Sequence, residues 1–132
     1  MRFLSKFFVL IAFAMFCTTI FSANADAAPS IKYRVTHVRL IDQGELEVQG
    51  YFENKGDRDA YAKCITLDLT LIADNGQEMW SDSGIEHYID VYVPADGALE
   101  YTFYVQNEEI PEYHGKFRYR WHTHTNWDTS AG

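Results

Sequence analysis

Five side chains near the end of the chain stand at every second position, and all of them carry basic nitrogen. They are Lys116, Arg118, Arg120, His122 and His124, and we call them the basic row. In an extended strand, residues at this spacing project from the same face. Because the chain has 11 Lys and Arg against 19 Asp and Glu, the row predicts a site for an anion or an acidic partner. The alternative is pairing across strands with acids such as Asp68 or the Glu45 and Glu47 face.

Two members of the row also suit a metal ion. His122 and His124 place two imidazoles on one strand face, and Zn²⁺ or Cu²⁺ needs three or four converging ligands. His87 and His114 are candidates for a third ligand, whereas the neighbouring cations disfavour a divalent ion. A His-based Zn²⁺- or Cu²⁺-binding periplasmic protein is therefore the alternative function, and the main interpretation includes no cofactor.

Aromatic residues form a third group that could bind a partner. They fall on strand faces opposite the predicted core, and they are Tyr51, Tyr88, Tyr92, Tyr104 and Trp80. Tyrosine is enriched at interfaces because it combines apolar area with a polar tip. Several of them on one sheet would form a platform for a protein or a carbohydrate. Alternatively, another chain covers them, or some of them face the core. The candidate binding residues are thus Lys116, Arg118 and Arg120 together with Tyr88, Tyr92 and Tyr104.

Composition limits the class of function. A length of 132 residues suits one domain, and a hydrophobic content of 47% excludes a mostly disordered chain. The net charge of −8 argues against nucleic acid and against an anionic membrane surface. The sequence contains no nucleophile elbow, no His-Glu-x-x-His motif, no P-loop and no dinucleotide fingerprint. We therefore predict that the protein is not an enzyme.

Residues 1–25 have the pattern of a signal peptide. Arg2 and Lys6 precede an apolar run that is shorter than a membrane span, and Ala23-Asn24-Ala25 supplies a cleavage site. Cleavage after Ala27 and an uncleaved anchor are the alternatives. Cleavage after Ala25 leaves 107 residues and changes the net charge to −10. The predicted location is secreted, periplasmic or extracellular, with no membrane span after cleavage, and the oligomeric state stays open.

Signal cleavage would leave Cys64 as the single cysteine of the mature chain. A lone cysteine in an oxidising compartment can react or pair between chains. Because Cys64 lies inside a strand-like run, we interpret it as a small buried apolar residue. A buried thiol in apolar surroundings forms the thiolate poorly, which argues against a nucleophile.

Apolar and polar residues alternate along most of the mature chain, as expected for half-buried strands. The phase slips after His37, which predicts a bulge or a change of partner sheet. Ser83-Gly84 is expected to separate two strands, and the last strand is expected at 116–125. The expected core rings are Phe52, Phe103, Phe117 and Trp121. This organisation predicts a linker at 26–30, a domain at 31–125 and a flexible tail at 126–132.

Several turns and core positions form a recognisable series. They are Gly50-Tyr51-Phe52-Glu53-Asn54, the strand Ile65 to Leu71, the turns Ala73-Asp74-Asn75-Gly76 and Val93-Pro94-Ala95-Asp96-Gly97, and Phe103. In this series the segment from Leu46 to Val105 resembles the FxLYD-type family of bacterial secreted immunoglobulin-like modules. The family's name motif is replaced by Leu69-Thr70-Leu71-Ile72-Ala73. The resemblance implies the fold and an envelope location, and it brings no catalytic residues.

The absence of a sustained helical period and the short connections favour antiparallel pairing. We therefore predict an all-β, antiparallel immunoglobulin-like β-sandwich of about seven strands, preceded by a signal helix. The predicted function is that of an exported, non-enzymatic binding or structural module of the bacterial cell envelope, with a protein or carbohydrate partner.

Overall fold

The computed structural model describes residues 28–130, which form six β-strands. In chain order these are β1 (Ile31–Asp42), β2 (Glu45–Asn54), β3 (Ala60–Ala73), β4 (Glu78–Val93), β5 (Ala98–Gln106) and β6 (Phe117–Asp128). The first sheet has the order β1-β2-β5 and the second has the order β4-β3-β6. All neighbouring strands are antiparallel, which confirms the predicted all-β class and its antiparallel pairing. The predicted signal helix at 1–25 lies outside the described residues.

One apolar core lies between the two sheets. The second sheet contributes the alternating residues of β3, which are Ile65, Leu67, Leu69 and Leu71. The first sheet contributes three rings, and the Tyr33 centroid lies 5.1 Å from that of Phe52 and 5.6 Å from that of Phe103. Edge-to-face contacts of this kind add to the gain from burying the rings. The strict alternation of β3 predicted this burial, and the arrangement is sandwich-like.

The phase slip in β1 is a bulge. Val35 and Val38 are both buried, although they are three residues apart. The register between β1 and β2 shifts between Val35 and His37, and β1 remains beside β2 on both sides of the shift. An extra residue in one strand turns the following side chains to the other face, which returns the apolar positions to the core. Of the two predicted explanations, the bulge is therefore the one found.

The break expected at Ser83-Gly84 is an irregularity inside one strand. β4 continues through this point, and its register with β3 shifts between Leu67 and Leu69. Gly84 has a φ of 70°, and its N–H donates to Asp68 Oδ1 at 2.8 Å. The glycine that suggested a break between strands therefore provides the positive φ of a bulge inside β4. This difference accounts for six strands among residues 28–130, where about seven were expected.

The last strand is longer than predicted. β6 ends at Asp128, so residues 126–128 belong to the sheet and not to a flexible tail. Ala62 is in register with Trp127, and Tyr61 with Asp128. Because β3 begins at Ala60, it still offers a partner to β6 at this end.

Edge strands β1 and β6 lie side by side where the two sheets meet, and we call this line the β1/β6 seam. The Tyr119 hydroxyl donates to the Thr36 carbonyl at 3.0 Å. Thr123 Oγ1 donates to the Tyr33 carbonyl at 2.5 Å. These bonds use backbone acceptors of an edge strand and fix β6, with its basic row, against the first sheet.

Asn54 ties together three segments at one end of the molecule. Its Oδ1 accepts hydrogen bonds from the N–H groups of Ser30 and Gly56, at 3.1 and 3.0 Å. Its Nδ2 donates to the carbonyls of Arg58 and Val93, at 2.9 and 3.2 Å. The side chain is buried and thus uses both of its amide donors and both acceptor positions.

Candidate functional site

The basic row lies on the outer face of an edge strand. Every second residue from Arg118 to His124 is exposed, and Lys116, which is also exposed, stands just before β6. The residues of β3 next to the row are in register with it in the order Ile72, Thr70, Asp68 and Thr66. Because these side chains point away from the core, a partner can approach the row from the outer face of the second sheet.

The row contains cations that pair with no acid. Several basic groups outside the row meet carboxylates, and Arg34 Nε, for example, lies 2.9 Å from Glu53 Oε1. Within residues 28–130, three side chains of the row make no hydrogen bond or ion pair, namely Lys116, Arg118 and Arg120. The expected pairing with Asp68 is found only for His122, whose Nδ1 lies 3.9 Å from Asp68 Oδ2. An acidic chain thus keeps three adjacent positive charges open.

The acids of the Glu45 and Glu47 face do not meet the row. Glu47 lies on β2 in the other sheet and is almost fully buried. Its carboxylate accepts from Arg39 Nε at 3.2 Å and from Gln49 Nε2 at 2.7 Å, and the hydrogen bond from Arg39 lowers the pKa of Glu47. Pairing of this face with the basic row is therefore wrong, because the two strands belong to different sheets.

The predicted histidine pair stands on one face, as the spacing required, but finds different neighbours. His122 faces Asp68, and His124 Nε2 lies 3.1 Å from Asn126 Oδ1. His87 Nε2 lies 2.8 Å from the Tyr101 hydroxyl, inside the sandwich. Among the described residues, no three His, Cys, Asp or Glu side chains are close enough together to hold a metal ion.

The predicted tyrosines are exposed but divide between the two sheets. Tyr88 is 72% exposed and Tyr92 is 47% exposed, and both lie on β4. Tyr104, 50% exposed, lies on β5 of the other sheet. These three tyrosines therefore do not share one sheet face. Trp80, which was also expected on an outer face, is buried in the core.

The hydroxyls of these tyrosines are engaged by carboxylates. Tyr88 donates to Glu86 at 2.9 Å, and Tyr92 donates to Asp59 at 2.8 Å. Each hydrogen bond raises the pKa of its tyrosine, because the neighbouring carboxylate disfavours a phenolate. The tyrosine side of the second sheet is thus acidic, whereas the β6 side is basic.

Trp121 is the clearest departure from the predicted core. It is 37% exposed, although the alternation of β6 places it on the same side as Phe117. It borders a cleft of about 280 Å³ at the β1/β6 seam. The lining residues are Lys32, Tyr33, Arg34, Trp121, His122 and Thr123. Lys32 was not identified as a site residue from the sequence. Its outward position in the alternation of β1 was the one feature that could have pointed to it.

A larger cleft lies elsewhere and has the opposite charge. It measures about 660 Å³ and lies beside the β3–β4 turn and Tyr113. Its charged lining residues are Asp74 and Glu78. It therefore does not suit the anion that the basic row predicts, and we place the candidate site at β6.

Cys64 is buried at 3% exposure and forms no disulfide. It stands in register with Tyr88 on one side and Asn126 on the other. Its predicted burial is confirmed.

Comparisons of the chain with models of protein families, with curated proteins and with solved structures find no match. Within residues 28–130, no helix has the length and apolar character needed to cross a bilayer. The functional argument therefore depends on the residues and geometry described above.

Proposed function

We propose that this chain is an exported, non-enzymatic, immunoglobulin-like binding module of the bacterial cell envelope, and that it holds an anionic partner through the basic row. The observation that carries the proposal is the set of three exposed cations, Lys116, Arg118 and Arg120, which have no acidic partner among the described residues. The signal-like N-terminal pattern supports export, and the resemblance to secreted modules supports an envelope location.

The charge distribution favours a binding role for the basic row over a structural role. An isolated exposed ion pair stabilises a protein by about 0–1 kcal/mol, so unpaired surface cations cost little and are not informative singly. Three neighbouring cations, two on β6 and one just before it, repel each other, however, and a chain with 19 acids offers many partners. An anionic polymer would meet several of these cations at once, and each contact would add to the others.

The experiment measures binding of long-chain polyphosphate, and of the host's envelope fraction, to the wild type and to two double variants. Arg118→Gln/Arg120→Gln removes two charges from the row, and Lys55→Gln/Arg58→Gln removes two from a loop as the matched control. At ~0.5–1 kcal/mol per contact, the row variant should bind about tenfold more weakly, and the control should bind like the wild type. Binding should also weaken as salt rises, because screening lengths fall from ~10 Å at 0.1 M to ~3 Å at 1 M.

Two results would contradict the proposal. One is equal binding by the row variant, the control variant and the wild type. The other is no binding of either preparation at low salt, where attraction between exposed charges is strongest.

A further inference from the structure

The cleft at the β1/β6 seam is built from both sheets. β1 supplies Lys32, Tyr33 and Arg34, and β6 supplies the remaining lining residues. The hydrogen bond from Thr123 to the Tyr33 carbonyl closes the seam within the lining of the cleft. Because this bond fixes the two edge strands to each other, the cleft has a defined shape before any ligand arrives.

The lining of the cleft is positive, and one cation is free. No carboxylate lines it. Arg34 already donates to Glu53 at 2.9 Å, and His122 lies 3.9 Å from Asp68. Lys32, by contrast, is exposed and makes no hydrogen bond or ion pair with any residue in 28–130. The ammonium group of Lys32 is therefore the charge available to a ligand.

Trp121 is the exposed aromatic residue of the lining. The residue is 37% exposed at a position where the strand alternation predicted burial. A flat apolar ring beside a few polar groups is the usual composition of a small-molecule site. At about 280 Å³ the cleft is close to the lower limit of such sites and fits one ring.

We propose that this cleft binds a pyranose ring that carries a carboxylate or a phosphate group. The C–H face of the sugar stacks on Trp121, and the anionic group pairs with Lys32. The proposal rests on the proposed function, since the basic row would hold the rest of an anionic glycan whose terminal or internal ring enters the cleft. It adds recognition of a ring, which the row alone does not provide.

The test titrates the full exported chain with four small probes in a calorimeter. Trigalacturonate and glucose 6-phosphate carry a ring with a carboxylate or a phosphate. Maltotriose has the ring without the charge, and tripolyphosphate has the charge without the ring. We expect the charged sugars to bind with dissociation constants on the order of 1 mM, and whichever binds more tightly identifies the anionic group.

Matched variants locate the binding. Trp121→Ala should weaken binding of the charged sugar by about tenfold or more, because it removes the stacking surface. Trp127→Ala is the control, since Trp127 lies on the same strand, is 39% exposed and does not line the cleft. Lys32→Gln, a surface change that leaves the fold intact, should weaken binding about fivefold, and thermal melts verify that each variant is folded.

The outcomes separate the two proposals. Binding of a charged sugar that depends on Trp121 and Lys32 supports the cleft. The cleft proposal is overturned if neither charged sugar binds, if maltotriose binds as tightly, or if the variants have no effect. If the charged sugars fail to bind in the cleft but polyphosphate binding still depends on Arg118 and Arg120, only the cleft proposal fails, and the proposed function stands.

Discussion

Replacing Asn54 by alanine tests whether one buried amide holds the end of the fold together. The change removes four hydrogen bonds, which join the amide to Ser30, Gly56, Arg58 and Val93. The bond to the Val93 carbonyl is fully buried, and the other three are partly buried, so water can replace some of them. At ~1 kcal/mol for each partly buried bond and somewhat more for the buried one, the loss is about 4 kcal/mol.

The assay is denaturant and thermal unfolding of Asn54→Ala against a matched control. A loss of this size corresponds to a fall of roughly 20 °C in Tm for a domain of this length. Asn75→Ala is the control, because Asn75 Oδ1 accepts one exposed hydrogen bond, from the Gln77 N–H at 2.9 Å. It should lose no more than about 1 kcal/mol. The reasoning is refuted if Asn54→Ala is as stable as Asn75→Ala, since the four bonds would then contribute nothing beyond what water supplies.

Three further predictions concern stability. Burial lowers the pKa of His87 below its usual 6.5, so the unfolded chain takes up a proton before the folded chain does as the pH falls. The stabilisation from neutral His87 should therefore be complete above pH 6.5 and decrease as the pH drops below it. His87→Gln should flatten this dependence in a pH series of unfolding midpoints. Gly50→Ala places a Cβ against the Arg34 carbonyl and 2.8 Å from the Tyr33 ring, and chemical denaturation should show a loss of ~3 kcal/mol or more. Arg118→Gln/Arg120→Gln removes no hydrogen bond or ion pair within residues 28–130, so its free energy of unfolding should stay within about 0.5 kcal/mol of the wild type, and a larger loss would mean that the row is structural.

Local alternation predicted the parts of the fold that depend on one strand at a time. The buried positions of β3 and the bulge in β1 both follow from the period of the apolar residues, because a half-buried strand needs every second side chain in the core. The basic row was likewise visible from its spacing alone, since residues two apart share a face whatever their neighbours are.

Features that depend on which strands are neighbours were not predictable in this way. Trp121 belongs to the inner alternation of β6 but lies at an edge beside β1, and nothing near it in the sequence reveals that neighbour. The tyrosines of β4 and β5 alternate alike, yet the two strands enter different sheets. The run through Gly84 was misinterpreted for a related reason, because its stabilising contact comes from Asp68, 16 residues away.

In our proposal, the basic row is the surface that contacts the anionic partner. Nuclear magnetic resonance with ¹⁵N-labelled protein tests this contact most directly. Amide shifts are followed during a titration with long-chain polyphosphate at low salt. The account predicts that the changes concentrate between Lys116 and His124 and on the adjacent positions of β3, with the outer face of the first sheet unaffected. Changes that centre on the face containing Tyr104, or an even distribution over the surface, would contradict it.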